Sequence, residues 1–130
     1  MKIKEIAFTC YPVTDMARAR HFYEQVLGLT VAQVFGDANA VWVEYDIAGG
    51  TLSIGNGAPE WKANAGGGCV GLEVEDFDAA LRQLKTHNVS MKESFETPVC
   101  HMVIVSDPDG NSLIIHKRKG SCCNSGTCQS

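Results

Sequence analysis

The chain has 130 residues, of which 45% are hydrophobic and 20% are charged, and its formal net charge is −4. This composition is typical of a globular protein and argues against a disordered chain. The acidic balance disfavours nucleic acid as a partner, because phosphate binding requires a basic surface. No apolar stretch approaches the ~20 residues that a membrane-spanning helix needs, so we expect no membrane partner.

The first residues carry no sign of a secretory signal. Residues 1–5 (MKIKE) lead into neither a long apolar core nor a small-residue cleavage site. We therefore expect a cytoplasmic protein whose thiols are reduced. Of the six cysteines, Cys10, Cys69 and Cys100 are scattered through apolar segments. This placement predicts small, buried hydrophobic side chains at those three positions.

The most informative feature of the sequence is an internal repeat. An apolar, strand-like run over residues 5–13 ends just before Asp15, and an amphipathic segment follows over residues 16–27. The same order recurs about half a chain later, with Gly68–Val74, Asp76 and the amphipathic segment 77–87. Because a carboxylate accepts hydrogen bonds from the free N–H groups of a first helical turn, we interpret both aspartates as helix caps.

Three strand signals follow each predicted helix. They cover residues 30–35, 40–46 and 51–55 in the first half, and residues 90–95, 99–106 and 112–117 in the second. Gly49-Gly50 predicts a two-residue hairpin, and the string Asp107-Pro108-Asp109-Gly110-Asn111 predicts a tight turn. A glycine-rich linker over residues 56–68 joins the halves. The order is β-α-β-β-β twice, which predicts an α+β fold built from two tandem modules.

These junctions resemble the vicinal oxygen chelate superfamily, which includes glyoxalase I, bleomycin-resistance and fosfomycin-resistance proteins and extradiol dioxygenases. The matching strings include His21-Phe22-Tyr23-Glu24, Val26-Leu27-Gly28-Leu29, Val74-Glu75-Asp76-Phe77 and Asp107-Pro108-Asp109-Gly110-Asn111. The resemblance implies one domain over residues 1–119, with modules at about 3–56 and 67–117, followed by a flexible tail over 120–130. It further implies a half-open cup of mixed sheet with the helices outside, a small-molecule ligand and a homodimer.

Metal-dependent members of this superfamily hold a divalent ion on four side chains, usually His, Glu or Gln. Carried over one at a time, the corresponding positions here are Phe8, Ser53, Cys69 and Ile114. Phe8 and Ile114 cannot bind a metal, and Ser53 is a poor ligand. A slip of two residues along the last strand brings in His116, but His116 and Cys69 alone are too few. We therefore expect no cofactor in the cup, while a divalent metal stays an alternative whose usual ligand positions are not kept.

Strand alternation supplies the candidate cup-lining residues. Phe8 and Cys10 share one face of the first strand, and Cys69 and Glu73 share one face of the fifth. On a middle strand Trp42 and Glu44 share a face, and the sequence leaves open whether that face points inward. The candidate ligand-binding residues are Phe8, Cys10, Trp42, Ser53, Cys69, His101, Ile114 and His116.

The candidate catalytic residues are His101, Glu44 and Glu73. Cys100 and His101 form an unusual string with a nucleophile beside a base. Neighbouring residues of a strand point to opposite faces, so these two cannot act as a direct dyad. We expect one of them in the cup and the other packed against a helix.

The last residues, GSCCNSGTCQS, place Cys122, Cys123 and Cys128 close together. Three thiols at this spacing can gather around a soft ion such as copper(I), zinc or arsenic(III). The spacing matches no zinc-finger pattern, so an ordinary variable terminus is the first interpretation and a thiol-rich site for a metal or metalloid is the second.

Three functions follow from the sequence. The first is a glyoxalase/bleomycin-resistance-like protein that binds a small organic molecule in a cup without the family's metal. The second is a metal-dependent glyoxalase-type lyase, isomerase or dioxygenase. The third is handling of a thiophilic metal, metalloid or organoarsenical through the cysteine tail.

Overall fold

The computed structural model of the chain describes residues 2–57 and 61–119. The cysteine tail lies outside the described residues, and the expectations for Cys122, Cys123 and Cys128 stay predictions. The chain divides into two compact units. The first comprises the residues up to Gly67 together with Asp107–Asn111, and the second comprises Gly68–Ser106 and the residues from Ser112 onward.

The first unit contains a four-stranded mixed sheet and one helix. Its elements are β1 (Thr9–Pro12), helix α1 (Met16–Arg20) continuing as a π-helical segment (His21–Val26), β2 (Thr30–Asp37), β3 (Ala40–Ile47) and β4 (Gly50–Gly55). The strand order is β1-β4-β3-β2, and only the β1–β4 pair is parallel. One side of this sheet packs on the helical segment through a core of Tyr23, Val43, Tyr45, Leu52 and Ile54, all at most 2% exposed.

The second unit repeats this topology. Its elements are β5 (Val70–Glu73), α2 (Phe77–Thr86), β6 (Phe95–Glu96), β7 (Cys100–Ser106) and β8 (Ser112–Arg118). The strand order is β5-β8-β7-β6, again with one parallel pair, between β5 and β8. The predicted α+β fold of two tandem β-α-β-β-β modules is confirmed.

The predicted caps are present at both helices. The Asp15 carboxylate accepts a hydrogen bond of 3.0 Å from Arg18 N, and that of Asp76 accepts one of 2.9 Å from Ala79 N. Each bond satisfies an N–H group that has no partner within the helix. Both aspartates are therefore explained by helix initiation.

The hairpin between β3 and β4 turns one residue earlier than predicted. Its two turn residues are Ala48 and Gly49, with φ of 46° and 89°, and Gly50 already belongs to β4. Positive φ at both positions is the geometry of a type I′ turn, whose twist matches that of the flanking strands. Ala48 thus occupies a conformation that alanine adopts only at a cost.

Two predicted strands are shorter in the structure. Residues 5–8 lie outside β1, and Ile3 and Ile6 are 81% and 86% exposed, so no apolar surface of the described residues covers this end. Residues 90–94 form no continuous strand. Lys92 N donates a hydrogen bond to Ile104 O, and Ser106 N donates one to Ser90 O. These bonds make a single isolated bridge between Met91 and Val105 rather than a strand.

Candidate functional site

The contacts of Tyr45 decide which face of the first sheet carries Trp42 and Glu44. The Tyr45 ring stacks on Tyr23 with centroids 6.0 Å apart, and its hydroxyl donates a hydrogen bond of 2.9 Å to Glu24. Tyr45 therefore faces the helical segment. Because side chains alternate along a strand, Trp42 and Glu44 lie on the opposite side, which we name the helix-distal face of the first sheet.

Three aromatic side chains gather at this face. Phe8 and Trp42 meet edge to face with ring centroids 5.3 Å apart. Gly55 is the strand partner of Trp42, and a Cβ atom on Gly55 would lie 2.9 Å from Trp42 Cε3 and 3.7 Å from Trp61 Cζ3. We name Phe8, Trp42 and Trp61 the aromatic wall. Glycine at position 55 leaves the space that the Trp42 ring occupies beside the strand.

Polar groups accompany the aromatic wall on the same face. The indole N–H of Trp42 donates a hydrogen bond of 2.9 Å to Glu44 Oε2, which fixes both side chains. Ser53, the strand partner of Glu44, is fully buried, and its Oγ has no hydrogen-bond partner within residues 2–57 and 61–119. Such a hydroxyl carries an unmet desolvation cost within the sheet.

Cys10 lies beside Ser53 in the parallel pair of β1 and β4. Burial and the nearby charge of Glu44 raise the pKa of the Cys10 thiol to about 12. The thiol is therefore protonated at neutral pH and is not an activated nucleophile. The helix-distal face therefore provides an aromatic surface and hydrogen-bonding groups, but Cys10 does not provide a reactive thiolate.

A cavity of about 620 Å³ adjoins the aromatic wall within the first unit, at Gly55 and Trp61. Its size is within the range of small-molecule pockets. Asp109 lines it with a side chain that is only 3% exposed. One oxygen of that carboxylate accepts hydrogen bonds from Thr14 N and from the Arg18 guanidinium. The remaining lining residues are Pro12, Val13, Thr14, Asn39, Asn56, Gly57, Lys62 and Ala63.

On the second sheet, Glu73 and His116 form a hydrogen-bonded pair. They are strand partners in β5 and β8, and His116 Nδ1 lies 2.6 Å from Glu73 Oε1. Ile114 precedes His116 by two residues and therefore shares its face. The sequence placed Glu73 and His116 separately among the candidates, and the register of β5 against β8 brings them together.

His101 lies on the opposite face of the second sheet from His116. Its ring meets that of Phe77 in α2 at a centroid distance of 5.7 Å, so it faces the helix. Cys100 alternates with it and is buried, and Thr97 Oγ1 lies 3.1 Å from its sulfur. Cys69 lies ahead of β5 and is exposed, so the prediction of a buried side chain is wrong at this position. Neither His101 nor Cys69 takes part in the Glu73–His116 pair.

The residues at the family's metal positions do not form a metal-ligand set. Phe8 and Ile114 have no donor atom in their side chains, and Ser53 is a buried hydroxyl. Across residues 2–57 and 61–119, no three His, Cys, Asp or Glu side chains are grouped so as to hold a metal ion. The residues present do not fit the superfamily's divalent ion, and we derive no step through it.

Sequence reasoning missed Trp61 and Asp109 as parts of this region. Trp61 lies in the linker, which its glycine and alanine content marks only as a loop. A large aromatic residue in such a loop was the available signal, because loop residues beside a rigid sheet often form binding sites. Asp109 lies in the predicted turn, and nothing in the sequence pattern indicates that its carboxylate is buried.

No helix in the described part of the chain is long and apolar enough to span a bilayer. A search of curated proteins finds no match to the sequence.

Solved structures share the fold at low sequence identity. The antibiotic binding protein TnmS3 from Streptomyces sp. CB03234 is 22% identical, with a TM-score of 0.74 over 92% of this chain and 99% of its own. The fosfomycin resistance protein FosX from Listeria monocytogenes is 16% identical, with a TM-score of 0.75 over 91% and 96%. A glyoxalase family protein from Enterococcus faecalis is 19% identical, with a TM-score of 0.71 over 89% and 99%.

The family profile of the Glyoxalase/Bleomycin resistance protein/Dioxygenase superfamily matches residues 3–115, which is most of the chain. The repeated β-α-β-β-β topology and the solved structures agree with that match. The chain belongs to the Glyoxalase/Bleomycin resistance protein/Dioxygenase superfamily.

Proposed function

We propose that this protein binds a small, flat organic molecule at the helix-distal face of its first sheet, without a metal ion. The observation that carries this proposal is the aromatic wall, Phe8, Trp42 and Trp61, beside a cavity of about 620 Å³. Phe8 and Trp61 are 48% and 39% exposed, and grouped exposed apolar side chains commonly mark a binding site. A flat ligand would cover them.

The polar groups of the face set the orientation of such a ligand. The Glu44 carboxylate is held by the indole N–H of Trp42, and a carboxylate can accept further hydrogen bonds from a ligand. An aromatic surface with a few fixed polar groups is the usual composition of a small-molecule site. The same fold serves as an antibiotic binding protein in TnmS3, which supports binding as the function.

The absence of metal from the proposed site rests on the donor set. Phe8 and Ser53 stand at two of the positions where metal-dependent members place ligands, and Cys10 and Glu44 are the ionisable groups beside them. A protonated thiol and one carboxylate do not make a tetrahedral or octahedral site.

Calorimetric titration with 2-naphthol tests it, because this molecule is flat, neutral and carries one O–H group. The saturated analogue 2-decalol has the same carbon skeleton without the flat ring and serves as the ligand control. Trp42→Ala should weaken 2-naphthol binding by about fivefold, since stacking on an indole is worth roughly 1 kcal/mol. Phe95→Ala removes another half-exposed aromatic, in the second unit, and should leave binding unchanged.

Two results would overturn the proposal. The first is equal affinity for 2-naphthol and 2-decalol, or for wild type and Trp42→Ala, because either would show that the aromatic wall is not the site. The second is loss of 2-naphthol binding after dialysis against EDTA with recovery on adding Mn²⁺ or Zn²⁺. That second result would favour a metal-dependent enzyme.

A further inference from the structure

The Glu73–His116 pair on the second sheet is held at three points. His116 Nδ1 lies 2.6 Å from Glu73 Oε1, and Arg118 N donates a hydrogen bond of 2.7 Å to the other carboxylate oxygen. The guanidinium of Arg118 lies 3.8 Å from Oε1. Adjacent parallel strands carry the pair, so its backbone positions are fixed by the sheet rather than by a loop. This is the rigidity that a positioned catalytic group requires.

The proton of the pair can be assigned from the charge of Glu73. Partial burial opposes ionisation of this carboxyl, but the hydrogen bonds from Arg118 N and His116 and the nearby positive charges outweigh it and lower the pKa of Glu73. An ionised carboxylate only accepts hydrogen bonds, so Nδ1 must be the donor. In the neutral ring this leaves the lone pair on Nε2.

The second nitrogen of His116 is accessible. Within the described part of the chain Nε2 has no hydrogen-bond partner, and the side chain is 25% exposed. Met102 is the strand partner of His116, and Ile114 lies on the same face, so the ring has apolar neighbours. The Arg118 side chain is 46% exposed and provides a positive charge on this face. A carboxylate that orients an imidazole, an open nitrogen and an adjacent cation are the parts of a general-base site.

We propose that His116, oriented by Glu73, is a metal-independent general base for the hydrolysis of small esters with good leaving groups. In the step, a water oxygen bonds to the acyl carbon while one of its protons passes to Nε2. The bond from the acyl carbon to the leaving oxygen then breaks, and the imidazolium returns its proton to the departing group or to solvent. The half-exposed Arg118 guanidinium, 3.8 Å from Glu73 Oε1, is the cation on this face that would stabilise the negative charge developing on the carbonyl oxygen. In this scheme His116 is the catalytic residue and Glu73 is a positioning residue.

This inference goes beyond the proposed binding function and uses other residues in the other unit. Steady-state hydrolysis of p-nitrophenyl acetate by the full chain tests it, followed for many equivalents so that one-time acylation of lysines or cysteines does not count. His116→Gln should lower kcat/KM by about 100-fold, the lower end of what a general base contributes. His101→Gln is the matched control, because it makes the same change on the opposite face, and it should keep the wild-type rate.

The Glu73→Gln variant tests whether Glu73 positions the His116 ring or only stabilises the fold. It should lower kcat more than it raises KM, because the substrate does not touch Glu73. Nitrogen-15 NMR of the imidazole should show the Nδ1–H tautomer for His116 in the wild type and its loss in Glu73→Gln. Turnover no faster than an equal concentration of free imidazole, an unchanged rate in His116→Gln, or an Nε2–H tautomer in the wild type would overturn the proposal.

The two proposals fail separately. Calorimetry measures 2-naphthol binding and steady-state kinetics measures ester hydrolysis, so each result is obtained without the other. If 2-naphthol binds nowhere, the hydrolysis result still stands by itself.

Discussion

The hydroxyl of Tyr23 donates a 2.8 Å hydrogen bond to Asp107 Oδ2, across 84 residues of sequence. The same oxygen accepts from Asn111 Nδ2, and Oδ1 accepts from the backbone N–H groups of Asp109 and Asn111. Asp107 is only 4% exposed, so these four donors replace the water that its charge would otherwise bind. Burial, followed by the charge of Asp107, raises the pKa of Tyr23 well above its usual range, and the phenol stays a donor.

Removing this hydroxyl should weaken the first unit. Tyr23→Phe keeps the ring but deletes one of two donors to Asp107 Oδ2, and we expect a loss of about 1–2 kcal/mol in the free energy of unfolding. Urea unfolding measures it. Asp107→Asn should cost more, because its amide can satisfy fewer of the four donors. An unchanged urea midpoint in Tyr23→Phe would contradict this role for the bond.

A methyl group at position 55 should displace Trp42. The Cβ of Gly55→Ala would lie 2.9 Å from the Trp42 ring, so the indole must move and its hydrogen bond to Glu44 is strained. We expect a cost of about 1–3 kcal/mol, as in overpacked cores, with a changed near-ultraviolet dichroism of tryptophan. Gly71→Ala is the control, because its Cβ would meet nothing within 4 Å. The same spectrum for Gly55→Ala and wild type would show that the ring does not lie there.

Replacing Ala48 in the β3–β4 turn should raise the free energy of unfolding. Ala48 has a φ of 46°, where its Cβ is crowded, and asparagine tolerates this region better. Ala48→Asn converts the turn to the Asn-Gly pair that type I′ hairpins favour, and should add about 0.5–1 kcal/mol. Thermal unfolding measures the change. Gly49→Ala, at a φ of 89°, should act in the opposite direction, and a stabilising Gly49→Ala would refute the turn assignment.

The thiols of Cys10 and Cys69 should differ in reactivity. The pKa of Cys10 is raised to about 12, so below that pH its nucleophilic thiolate is scarce and increases as pH rises, whereas Cys69 is exposed. Iodoacetamide at pH 8 should modify Cys69 at least about tenfold faster than Cys10. Peptide mapping by mass spectrometry measures both rates. In urea the difference should vanish. Equal rates in the folded protein would mean that Cys10 is not shielded.

The element order was predictable because each element carries its own period. Alternation marks Phe8 and Cys10 as neighbours on one face, and the aspartates ahead of the two helices mark where those helices begin. The length of β1 was not predictable, because β4 already begins at Gly50, two residues before the partner of Thr9, and the sequence pattern does not show where the pairing starts. The face of Trp42 became clear only from the packing of Tyr45, and the Glu73–His116 pair depends on the register between two strands far apart in sequence.

The assignment of Asp107–Asn111 to the first unit has a consequence for synthesis on the ribosome. A nascent chain that ends at Gly67 contains every strand of the first sheet, yet Tyr23 has no acceptor and Pro12 O lacks the donor that Asn111 supplies at 2.9 Å. The hydrogen bonds of Tyr23 and Pro12 in the first half of the repeat can therefore form only after residues 107–111 of the second half have been translated. Although the sequence repeats, the modules are not interchangeable folding units, and a gene cut at the linker should yield a weakly folded first fragment.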